Sequence, residues 1–124
     1  MIVVTNSRAK GAAGERELAG VLRTYGFDCR RGQQYHGGGD SPDVVGLPGI
    51  HIECKRVEHL NIDKAMSQSK RDAEDTDDIP VVMHRKNNTD WKVTMSLDAF
   101  MNLYIAATND SQLVSRYPVV NSKE

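Results

Sequence analysis

A disulfide scaffold is excluded first: the 124 residues include two cysteines, Cys29 and Cys54, neither in a Cys-x-x-Cys pair. Two thiols make no framework, and both are expected to be small buried hydrophobes. No apolar run approaches the roughly 20 residues that a membrane helix needs. Met1-Ile2-Val3-Val4 is too short for a signal peptide and lacks its basic start, which predicts a cytoplasmic protein with no membrane partner. The four histidines, His36, His51, His59 and His84, show no metal-ligand spacing, and His51 reads as an ordinary surface residue. Internal repeats and low-complexity segments are missing too. At this length the chain makes one domain, predicted over residues 1–107, with a tail from 108 to 124 that would order only against a partner.

Net charge is also nearly absent, at -1. Its distribution says more than its sum. Asp72, Glu74, Asp75, Asp77 and Asp78 crowd one short segment; without those 5, 12 acids face 16 bases, a balance of +4. The remaining surface is basic enough to meet phosphates.

What is there is periodic. Ser7 to Tyr25 reads as a helix with Leu18, Leu22 and Tyr25 on one stripe and Gly26 as terminator. Phe27 to Arg31 reads as a short strand, and Gly32 to Asp40, with three consecutive glycines, as a loop. Two strands turn at Gly46 to Gly49. Asn61 caps a helix to about Asp75, Pro80 to His84 forms a buried strand, and Trp91, Val93 and Met95 alternate as another. Ser96 caps a last helix to about Ala106. The predicted order is αβββαββα, an α/β fold.

The chemistry-bearing residues lie in Ser41-Pro42-Asp43-Val44-Val45-Gly46-Leu47-Pro48-Gly49-Ile50-His51-Ile52-Glu53-Cys54-Lys55. Reversal at the glycines brings Asp43 beside Glu53, and period-2 alternation puts His51, Glu53 and Lys55 on one strand face. Two carboxylates and an ammonium would converge where a divalent ion could sit. Glu15 joins them in expectation, lying within about 20° of Leu22 on the apolar stripe of the first helix, where a carboxylate needs a partner. Glu17 points almost the opposite way. The plainer alternative pairs Glu15 with Arg16 or Lys10 at the surface.

Lys10-Gly11, Gly14-Glu15-Arg16-Glu17-Leu18, Gly26-Phe27, Arg31, Pro42-Asp43-Val44-Val45 and Ile52-Glu53-Cys54-Lys55 resemble the PD-(D/E)xK nuclease superfamily. Within it the likeness is to archaeal-type Holliday junction resolvases and their small phage-borne relatives. The resemblance implies a restriction-endonuclease-like core, a mixed central β-sheet flanked by helices, and a metal-dependent endonuclease using Mg2+ or Mn2+. It makes Glu15, Asp43, Glu53 and Lys55 the catalytic set. Asp43, Glu53 and the Cys54 backbone carbonyl would hold metal, with Glu15 acting through water or holding a second ion. Ser41 and Gln68 are supporting candidates. It also implies a homodimer on branched DNA, in recombination and repair. For phosphate contacts the candidates are Arg8, Lys10, Arg16, Arg30 and Arg31, then Arg56, Lys70, Arg71, Arg85 and Lys86. Ile2 to Val4 or Leu113 to Val120 are candidates for the subunit interface. The competing readings are a nicking or flap nuclease of the replication-repair type and a non-catalytic DNA-binding module.

Overall fold

In a computed structural model of the protein, residues 7–32 and 41–109 are described. The element order is the predicted one. Helix α1 spans Ser7–Arg23, then come strands β1 (Arg30–Arg31), β2 (Val44–Val45) and β3 (Ile50–Arg56). Helix α2 (Ile62–Asp72) crosses over to β4 (Ile79–Arg85), followed by β5 (Lys92–Thr94) and helix α3 (Leu97–Thr108). The five strands form one sheet in the order β1-β2-β3-β4-β5. Only β3 and β4 are parallel, as a helical crossover requires; the other neighbours are antiparallel.

The strands carry different residues on their two faces. Ile52 and Cys54 of β3 and Val81 and Met83 of β4 pack with Leu18 and Ala19 of α1, along with Cys29 and Val44. His51 and Glu53 point the other way yet are only 1% and 3% exposed, because α2 lies across β3 and β4. It is seated there by small residues: Ala65, Ser69 and Ala73 are buried, and the Ser69 hydroxyl donates to the Val81 carbonyl at 3.0 Å.

Local signals explain the boundaries. Asn61 accepts from the Lys64 amide, and Ser96 accepts from the Ala99 amide, so both predicted caps form. α1 stops at Arg23, and Gly26 takes φ +97. Tyr25 therefore leaves the helical stripe and is 74% exposed, and Phe27 lies before a strand that has shrunk to Arg30–Arg31. Val93 is also exposed, while Trp91 and Met95 reach the core. α3 buries none of its side chains among the described residues. The glycine-rich loop at 33–40 and the proposed interface segments at 2–4 and 113–120 lie outside the described residues, as do His36 and the Arg8 side chain. No helix of the described residues is long and apolar enough to cross a membrane.

Candidate active site

Asp43 enters β2 beside the centre of β3. Its amide donates to the Ile52 carbonyl at 2.8 Å, and the Cys54 amide donates to its Oδ2 at 2.8 Å. The reversal that permits this uses Gly46 and Gly49, at φ +107 and +84, which side-chain-bearing residues rarely adopt. Glu53 follows on the α2 face, with Lys55 Nζ 3.6 Å from its Oε2. The predicted convergence of Asp43, Glu53 and Lys55 is therefore present.

Electrostatics mark the pair as a place for positive charge. Burial, then the Glu15 charge, pushes the Asp43 carboxyl up to about 6 against the Cys54 amide bond and Lys55. Burial, then the Asp43 charge, pushes Glu53 up to about 7 against the pull of Lys55. With the Asp43 charge raising the cost of ionising Glu53, the two carboxylates are an anionic oxygen pair suited to a hard divalent cation, which takes one or two carboxylates plus substrate oxygens. Among the described residues no three His, Cys, Asp or Glu side chains gather as a complete ligand set. The Cys54 thiol is no further candidate, since burial and then the Asp43 charge push it up to about 12.

Glu15 stands slightly apart. It is near enough for its charge to act on Asp43, but its Oε1 accepts from Arg31 Nε at 2.9 Å. Its partner is therefore Arg31, neither Arg16 nor Lys10. Gln68 is half-buried one turn before the end of α2, and Ser41 is half-buried two residues ahead of Asp43.

Several predicted phosphate contacts have partners inside the fold. Arg56 Nε donates to Glu17 Oε1 at 3.1 Å; Arg85 Nη1 and, at 3.2 Å, Trp91 Nε1 donate to Glu17 Oε2. Arg30 pairs with Asp28 at the surface, and Lys10, Arg16, Lys70, Arg71 and Lys86 are exposed.

Three features escaped the sequence. Glu17 is a junction for α1, β3, β4 and the approach to β5, although helical geometry pointed it away from the Glu15 stripe. Asp72 closes α2 near enough to raise both Asp43 and Glu53; its spacing of three from Ser69 was the available signal. His51 is no surface residue, because α2 covers its strand face; its Nε2 is buried with no hydrogen-bond partner among the described residues.

Comparison with known proteins decides the family. A family model described as phage putative PDDEXK endonuclease matches residues 6–123. The chain belongs to this endonuclease family. The fold has a solved counterpart in the Archaeoglobus fulgidus protein Hjc, a Holliday junction resolvase from an archaeal hyperthermophile, with a TM-score of 0.54 and 24% identity over 69% of this chain and 72% of that one. No curated protein sequence matches the chain. The mixed sheet with flanking helices is thus the restriction-endonuclease-like core, and the endonuclease is of the PDDEXK type.

Proposed function

We propose that this endonuclease is a Mg2+- or Mn2+-dependent, structure-specific enzyme that hydrolyses phosphodiester bonds in branched DNA, as a Holliday junction resolvase acting in recombination and repair. The observation that carries the reading is the pairing of half-buried Asp43 with buried Glu53, held by the Cys54 amide and flanked by Lys55, in a member of this family. Asp43, Glu53 and the Cys54 carbonyl would hold the ion. When bound, it lowers the pKa of a water and neutralises charge on the phosphate oxygens.

The chain's own groups do the rest. Lys55, tethered to Glu53 and one-third exposed, orients the attacking water and offsets negative charge building on the phosphate. Glu15, steered by Arg31, completes the anionic side of the site through water. Burial by α2 keeps the Glu53 carboxylate away from bulk solvent, which strengthens each interaction there. Ser41 and Gln68 support the site from its rim, and the exposed Lys10, Arg16, Lys70 and Arg71 contribute sequence-independent phosphate contacts with Arg30. Arg31, Arg56 and Arg85 act on DNA only beyond their carboxylate partners.

A four-way junction has two equivalent strands to cut, which a two-fold dimer with one site per subunit matches. α3 supports a dimer. Leu97, Phe100, Met101 and Ile105 form an exposed apolar stripe at helical spacing, a surface that a second copy would cover.

The test offers purified protein labelled four-way junction, flap, nicked and linear duplex with Mg2+ or Mn2+. Symmetric paired nicks across the junction are expected, with none in EDTA. Preferential flap cutting would replace resolution by a nicking or flap activity of the replication-repair type. Binding without cutting would leave a non-catalytic DNA-binding module.

A further inference from the structure

A row of basic side chains lies on the same sheet face as Glu53. In the strand register Lys55 stands opposite His84, and His84 opposite Lys92. Register partners share a face, so these three side chains make a row across β3, β4 and β5. His84 Nε2 meets Thr94 Oγ1 of β5 at 2.9 Å, and burial, then the Lys92 ammonium, holds the His84 pKa below its ordinary value.

The row ends in a cleft of about 280 Å³ where β3 and β4 finish. Its walls include Val57, Leu60, His84, Lys86 and Lys92. Two other charged walls are already engaged. Arg85 binds Glu17 and the Thr89 carbonyl, and Glu58 accepts from the Asn87 amide at 2.6 Å. Lys86 and Lys92 have no ion pair with any described residue, and both are exposed. The cleft therefore offers two ammonium groups without an ion pair among the described residues, together with the apolar side chains of Val57 and Leu60. Phosphate with its attached sugar has that polarity.

We propose that this cleft seats a backbone phosphate and sugar of the strand being cut, gripped by Lys86 and Lys92. The site rests on the endonuclease reading and adds where the strand runs. Lys92 is two strands from Lys55, on the order of 10 Å at the usual interstrand spacing. The scissile phosphate at Asp43 and Glu53 and the phosphate in the cleft then fix the strand at two points, which sets its direction across the sheet.

The experiment uses the full-length protein and a labelled four-way junction, with plain duplex in parallel, bound in EDTA across a salt series. Lys86→Gln and Lys92→Gln are each expected to weaken binding about tenfold, the scale of one charge-assisted hydrogen bond. Each should reduce the slope of log affinity against log salt by about one, and the pair by about two. With Mg2+, KM rises while kcat holds. Lys64→Gln removes an equal charge from the exposed side of α2 and should leave the slope unchanged. Unaltered slopes in the cleft variants, or an equal loss in Lys64→Gln, overturn the proposal. If the wild type shows no preference for junctions, resolution fails as a reading, whereas a lysine-dependent slope on duplex still establishes the cleft.

Discussion

The two faces of the sheet treat charge in opposite ways. On the α1 face Glu17 meets Arg56, Arg85 and Trp91, so each ionic group there is matched within the fold. On the α2 face Asp43 and Glu53 are pushed towards the protonated form, Lys55 is only loosely paired, and His51 Nε2 has no partner among the described residues. Matched charge holds elements together. Mismatched charge in a buried site is stabilised by what it binds, which is why perturbed titratable groups cluster where chemistry occurs.

The comparison breaks most visibly at the α2 face. Asp43→Asn and Glu53→Gln should each lower cleavage by about three orders of magnitude or more, the scale of losing a positioned charged group at the reacting centre. Both should stay folded by circular dichroism and melt no lower than the wild type in EDTA, since a repelling partner has gone. A melting point several degrees lower would make these residues structural.

On the α1 face the effect should reverse. Glu17→Ala leaves two guanidinium groups and an indole N–H without their acceptor, and should destabilise by about 2 kcal/mol. Chemical denaturation measures it, and kcat on a saturating substrate should hold. A variant as stable as the wild type would show that the Glu17 junction does not secure α1.

The finest test is pH. In metal-free protein Glu53 ionises at about 7, above its ordinary 4.5, and Asp43 at about 6, above 3.8. The folded state thus holds protons that the unfolded chain has released, so this contribution is complete below about pH 4 and is lost as pH rises through 6 to 7. His51 and His84, both lowered by burial, work in the other direction. The measurement is therefore the stability of wild type minus Glu53→Gln in EDTA. It should be less favourable at pH 8 than at pH 5, and Mg2+ at pH 8 should restore it in the wild type. A difference independent of pH would place Glu53 in water.

What the sequence revealed and what it hid divide along the same line. Caps at Asn61 and Ser96, the glycine turn between β2 and β3, and the alternation of β3 are local, so they were legible. Asp43 beside Glu53 followed from a turn of fixed length. The Glu15–Arg31 pair, the Glu17 junction and the approach of Asp72 depend on where α1 and α2 settle over the sheet, which no short window contains. His51 was misjudged for that reason: alternation gave its face, but only the β3-α2-β4 crossover covers that face. Tyr25 kept the helical period without the helix, because Gly26 ended α1 first.

Gly14 gives this arrangement its tolerance. A Cβ there would come within 2.6 Å of the Arg56 Cβ, so α1 crosses β3 at a point where one residue must have no side chain. Glu15 is the next residue along. The reach of its carboxylate towards Asp43 is thus gauged by a missing methyl group, and a bulkier residue at 14 would move the acid as a rigid lever moves its tip, without touching it.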